Sequence, residues 1–252
     1  MTANGCAIWL YGSHARGDRD TLSDVDILAV SDGLCEFYEV RSEINEPFRN
    51  VGVSHYSWQE IEDMATLGSL FLHHVRLEGR PIYESVTCKD RLGSMLQSLG
   101  GYQNVMRDVN GFKTVLSDVR EEIKGDPIYW YELAVLATVI RHCSILGCWL
   151  LGAPAFGRVR PVERVAEALD LGEGLGRDFP ELYRYRLYFE GRVGANLPAG
   201  KHCAREWLGR AESLVDAIEE LAHGQQCGSV PEADRTSQRG RSRGGERIRG
   251  AF

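Results

Sequence analysis

Two acidic side chains, Asp24 and Asp26, are separated by a single residue in the stretch DVDILAV, and a Gly12-Ser13 pair followed by Arg16 lies just upstream. On an extended strand, residues i and i+2 project to the same face, about 7 Å apart at their Cα atoms. Two bare carboxylates held side by side repel each other unless a cation lies between them. Hard oxygen ligands of this kind suit Mg²⁺, which takes one or two carboxylates together with substrate phosphates. The upstream residues supply the other half of such a site. Glycine lets a backbone approach a ligand closely, and turn amides beside a hydroxyl cradle a phosphate. Arg16 adds a planar positive fork suited to phosphate oxygens. A phosphate-holding turn next to a metal-holding strand describes phosphoryl or nucleotidyl transfer, in which the metal neutralises charge and aligns attack on phosphorus.

Those residues need a scaffold, and the surrounding pattern provides one. AIWLY at 7–11 predicts a buried strand that turns at Gly12-Ser13, with the first turn of a helix or a loop over 14–19. A second strand runs over 24–30 and stops at Ser31-Asp32-Gly33. Residues 35–47 look helical, and 50–58 (NVGVSHYSW) read as a third strand. Ser57 and Glu60 complete a capping box for a helix that starts near Gln59. Another helix, 69–78, is stopped by Gly79-Arg80-Pro81, after which Ile82-Tyr83 adds a short edge strand. Beyond Cys88 the character changes. Val105, Val109, Phe112, Leu116, Val119 and Ile123 recur at helical spacing, 128–151 is long and apolar, and 161–171, 179–190 and 201–222 give three more helices.

The motif GSHARGD followed by SDVDI resembles the signature of the DNA polymerase beta-like nucleotidyltransferase superfamily, most closely its minimal members that carry a C-terminal helical domain. The resemblance implies an α+β fold: a small mixed-sheet core over 1–88, a helical domain over 90–222 for acceptor binding or dimerisation, and a disordered Arg-rich tail over 223–252. It implies that Gly12, Ser13 and Arg16 hold the phosphates of a nucleoside triphosphate, ATP foremost. Asp24 and Asp26 would bind Mg²⁺ and carry catalysis, with Asp18 and Ser23 supporting the loop. The acceptor would be a hydroxyl on a partner protein, an RNA or a small molecule. The two-part layout resembles antitoxins that adenylylate a partner and antibiotic-modifying enzymes alike. Active members also present a third carboxylate from a later strand, yet NVGVSHYSW contains no Asp or Glu. Asn50, Ser54 or His55 takes that place, with Glu46 and Glu60 just outside it. The alternative is therefore a catalytically weakened nucleotide-binding or regulatory module.

Composition narrows the class further. The net charge of -7 argues against a nucleic-acid binder as a whole, although the segment from His223 onward holds six Arg against Glu232, Asp234 and Glu246, leaving +3 there and -10 elsewhere. That tail reads as a solubilising extension, with nucleic-acid contact as the alternative. The seven cysteines form no CxxC pair and read as reduced structural thiols. No apolar run reads as a membrane span and the first residues lack a signal-peptide pattern, so the expected location is the cytoplasm. In the run 183–189, Leu182, Tyr185, Phe189 and Val193 form an apolar stripe with Arg184 and Arg186 outside it. His73 and His74 point about 100° apart on a helix, which keeps them from sharing a metal.

Overall fold

A computed structural model describes residues 5–33, 51–124, 129–194 and 200–228. The helix expected over 35–47, Asn50, Glu46 and the tail beyond residue 228 lie outside the described residues. The fold is α+β. Its sheet contains β1 (Ala7–Tyr11), β2 (Val25–Val30), β3 (Val51–Tyr56) and β4 (Arg80–Glu84) in the order β3-β2-β1-β4. β1 is antiparallel to both β2 and β4, whereas β2 and β3 run parallel, so the sheet is mixed. Pro81 is confined to the edge strand β4, where a missing N–H costs least.

Register decides which residues share a face. Tyr11 pairs with Asp26 and Asp26 with Gly52, so Tyr11, Asp26 and Gly52 stand in a row across three strands. Farther along the same face Ala7, Leu28 and Val30 pack against Trp58 and Ile61 of α2 (Trp58–Thr66), Leu72 and Val75 of α3 (Leu70–Glu78), and Leu92 and Leu96 of α4 (Arg91–Gln97). The opposite face gathers Ile8, Leu10, Val25, Ile27 and Ala29. α2 begins with the expected capping box, in which Ser57 Oγ accepts from the Glu60 amide while Glu60 accepts from the Ser57 amide. Glu60 is thereby committed to a helix start. The short helix α4 was not anticipated, and its apolar side belongs to the core beside the sheet.

The remaining helices are α5 (Val105–Glu122), α6 (Trp130–Leu150), α7 (Arg160–Ala168), α8 (Glu173–Phe189) and α9 (Lys201–Gly228). The last continues past the expected start of the tail, through Gly228. α6 is the hub, packed by α5, α7, α8 and α9. At Gly147 an added Cβ would lie 2.5 Å from Ile218 Cδ1 and 2.9 Å from Val165 Cγ2, so glycine lets α7 and α9 close on the hub there. Contrary to the expectation from composition, α6 does reach the length and hydropathy of a membrane span. Most of that stretch, 72%, is buried among the other helices, as in the core helix of a bundle. Cys6, Cys88, Cys143 and Cys148 are buried thiols.

Candidate active site

The Gly12-Ser13 turn starts the five-residue helix α1 (Gly12–Arg16), which Gly17 ends in the left-handed conformation. Gly12 itself has φ of +73°, and a Cβ there would lie 2.4 Å from Asp26 Oδ2. Both facts require glycine: the conformation is strained for an L residue, and the carboxylate already fills the space. The phosphate-type turn and the acidic strand are thus in direct contact.

Asp24 and Asp26 converge as the strand spacing predicts. A Cβ placed on Gly52 would lie 3.7 Å from Asp24 Oδ2 and 3.8 Å from Asp26 Oδ1, so both carboxylates face the same space above β3. Burial, and next the negative charge of Asp24, push the Asp26 carboxyl up to about 6. Two convergent hard carboxylates are the donor set that a divalent cation completes with water and phosphate oxygens. No group of three His, Cys, Asp or Glu able to hold a metal occurs among the described residues; a cation between Asp24 and Asp26 would have two protein carboxylates and take its other ligands from substrate and solvent.

The strand position facing this pair is glycine. Sequence reasoning placed Asn50, Ser54 or His55 there; register places Gly52 opposite Asp26. Ser54 lies farther along and is hydrogen bonded to the Tyr11 hydroxyl at 3.2 Å, and His55 Nε2 is 3.0 Å from Ser31 Oγ at the far end of β2.

The turn and the carboxylates open into a cleft of about 620 Å³ between the sheet layer and the helical bundle. Its far wall is arginine: Arg141 from α6, Arg158 and Arg160 at the start of α7, Arg164 within α7, Arg186 from α8, and Arg192 just after it. Arg192 Nη2 donates to Asp24 Oδ2 at 2.7 Å and its Nη1 to the Leu22 carbonyl at 2.8 Å. Burial disfavours its charge, but Asp24 and Glu190 outweigh that and raise its pKa. Arg158 donates to Asp20 Oδ2 at 3.1 Å and to the Leu22 carbonyl at 3.2 Å. The loop before β2 is therefore clamped by two arginines of the helical half. Arg141 is fixed by the carbonyls of Phe156 (2.9 Å) and Gly157 (3.3 Å), and Arg186 by Thr138 and Glu190.

Arg16 lines the cleft, but its guanidinium pairs with Asp18 (3.0 Å) and Glu78. Ser23 closes a turn with Asp20, donating to Oδ1 at 2.7 Å. The stripe expected on α8 is corrected in part. Leu182 and Tyr185 are buried, whereas Phe189 is 54% exposed, and Tyr183 and Arg186 line the cleft. The two halves of the site are far apart in sequence, and nothing local marks Arg192 as the partner of Asp24 or Arg141 as a charge near Asp26. The adjacent histidines diverge as expected. His73 is buried, with Nε2 3.0 Å from the Gly100 carbonyl, while His74 faces the cleft.

Residues 4–59 match the model of the nucleotidyltransferase domain family, a segment that contains β1, α1, β2 and β3 with both aspartates. Over this segment the chain matches a nucleotidyltransferase domain, which supports an enzyme of the nucleotidyl-transfer class. No curated protein sequence matches it. Among solved structures, a spectinomycin adenyltransferase from Enterococcus faecialis, solved with ATP and spectinomycin, is similar at 13% identity, covering 86% of this chain and 93% of its own, with a TM-score of 0.44. A nucleotidyltransferase-like protein from Exiguobacterium sibiricum is similar at 15% identity, covering 88% of this chain and 69% of its own, with a TM-score of 0.32.

Proposed function

We propose that the chain moves a nucleoside monophosphate, AMP from ATP, to an acceptor hydroxyl in a Mg²⁺-dependent reaction. The observation that carries this reading is the contact between the Gly12 turn and the Asp24/Asp26 pair at the mouth of a cleft with an arginine wall. Asp24 and Asp26 would hold Mg²⁺, which when bound neutralises triphosphate charge at the reacting phosphorus. The turn amides of Gly12 and Ser13 would take phosphate oxygens from one side, and Arg141 and Arg186 from the other. The acceptor oxygen then attacks the α-phosphorus in line with the departing pyrophosphate. Arg192 would leave Asp24 for the phosphates as the substrate enters, which exchanges one ion pair for another of the same kind.

The acceptor is a hydroxyl of a partner protein, an RNA or a small molecule, bound against the helical half. The test is incubation with labelled ATP, GTP, CTP and UTP plus Mg²⁺, using cell lysate as the acceptor source, beside the Asp24→Ala/Asp26→Ala double variant. Label moved by the wild type and lost in the variant supports the reading. A second reading rests on Gly52: with no side chain facing the carboxylates from β3, the chain would bind nucleotide without turning it over. Tight Mg²⁺-dependent ATP binding with no transferred label favours that alternative.

A further inference from the structure

A hydroxyl that attacks phosphorus must give up its proton, and among the described residues the strands bring no carboxylate to the cleft besides the two aspartates. Gly52 leaves the third-strand position bare. The other carboxylates of the cleft are engaged: Asp20 by Ser23 and Arg158, Glu190 by Arg186 and Arg192, and Asp18 by Arg16. Attention therefore turns to the helix layer above the same face of the sheet.

There, His74 of α3 lines the cleft with its ring held on three sides. It stacks on Phe156 at 4.7 Å and 15°, meets Tyr11 edge-on at 5.2 Å and 89°, and places Nε2 2.7 Å from Glu78 Oε2. Tyr11 pairs in register with Asp26, so the tyrosine that meets the imidazole stands beside one of the two carboxylates on the neighbouring strand. Burial would raise the Glu78 carboxyl, but hydrogen bonds from His74 and Arg16 outweigh it and hold it below the usual range. An ionised carboxylate only accepts, so Nε2 donates to it, and in the neutral imidazole the lone pair is then on Nδ1. The arrangement is a base oriented by a carboxylate, with Glu78 anchored in turn by Arg16 of the phosphate-type turn.

We propose that His74, oriented by Glu78, is the general base that deprotonates the acceptor hydroxyl. This rests on the nucleotidyl-transfer reading above. The acceptor O–H bond breaks and its proton passes to His74 Nδ1. The oxygen forms a bond to the α-phosphorus, and the bond from that phosphorus to the bridging oxygen breaks, releasing pyrophosphate with the electron pair. The imidazolium then returns its proton to water. Glu78 acts through His74 and is a positioning residue.

The experiment uses the full chain in two measurements. Long-range ¹H–¹⁵N NMR of the imidazoles reads the tautomer without any acceptor: a proton on Nε2 of His74, lost from that preference in Glu78→Gln, is expected, and a proton fixed on Nδ1 overturns the proposal. Label transfer from ATP with Mg²⁺ and lysate reads the chemistry. His74→Gln should lower it about 100-fold or more, with ATP affinity unchanged and the acid limb of the pH–rate profile removed. Glu78→Gln should lower it less and displace that limb. Gly52→Asp fits sterically, because its Cβ would make only ordinary contacts, and should restore part of the transfer lost in His74→Gln. A His74→Gln protein with wild-type rate and pH profile overturns the proposal while leaving the nucleotidyl-transfer reading intact. A wild type that binds ATP yet moves no label defeats that reading, and the proposal with it.

Discussion

Arg192 and Asp24 are joined across the cleft by a 2.7 Å ion pair, so the helical half holds one of the two paired carboxylates. The guanidinium competes with any cation for the same oxygen. Arg192→Ala should therefore raise Mg²⁺ affinity about five-fold, the equivalent of about 1 kcal/mol for a partly exposed pair. The same change should raise the KM for ATP about ten-fold or more, because a charge-assisted contact to phosphate is lost. Mg²⁺ titration by calorimetry and steady-state transfer kinetics check the two halves separately; weaker Mg²⁺ binding in the variant would contradict the competition.

Asp26→Asn should reduce Mg²⁺-dependent transfer by at least about 100-fold, since a metal supplies several kcal/mol of charge stabilisation in such reactions. The fold should survive, as judged by circular dichroism, because the amide fills the same space. Transfer at the wild-type level would remove Asp26 from the site.

The metal-free protein should lose stability between about pH 4 and pH 6. Asp26 is raised from 3.8 to about 6 in the folded state, first by burial and then by Asp24. A raised carboxyl binds its proton more tightly folded than unfolded, so its contribution is complete below the unfolded value and disappears as pH rises through the folded one. The loss amounts to at most about 3 kcal/mol. Urea titrations in EDTA across this range should show it in the wild type and a flatter profile in Asp26→Asn. Equal slopes in both proteins would assign the effect elsewhere.

Gly12→Ala should abolish most transfer and destabilise the protein by about 1–3 kcal/mol, given its φ of +73° and the 2.4 Å approach to Asp26 Oδ2. Chemical denaturation measures the stability, and the labelled-nucleotide assay the activity. Wild-type behaviour in both would mean that the turn adopts another conformation in solution.

Gly147→Val should destabilise the helical bundle by about 1–3 kcal/mol through overpacking against Ile218 and Val165. Thermal unfolding reads this directly, and a Tm equal to that of the wild type would show that α7 and α9 yield freely.

The approach of the Gly12 turn to Asp24 and Asp26 was legible because it is local. Asp24 and Asp26 are two residues apart on one strand, and the Gly12 turn follows the neighbouring strand. The Ser57–Glu60 capping box was legible for the same reason. Arg141, Arg158 and Arg192 were not, since charged residues ordinarily face solvent and only the packing of α6, α7 and α8 brings these three, one on a helix and two beside helix ends, to the cleft. Gly52 was missed because register depends on how β3 aligns with β2, which a strand pattern without an alternating signal leaves open. His74 was weighed only as one of an adjacent pair; its significance comes from Glu78 one turn on and Phe156 in a distant loop.

The cleft separates two hydrophobic clusters, one under the sheet and one around α6, and arginine contacts such as Arg192–Asp24 and Arg158–Asp20 clamp its edge. Apolar cores are indifferent to ionic strength, whereas exposed or half-exposed ion pairs weaken as salt screens them. The two halves are thus joined in part by an electrostatic clasp, beside ring contacts such as His74 on Phe156. Added salt should loosen the clasp well before it affects either half, so the resting aperture of the cleft would follow the ionic composition of its surroundings.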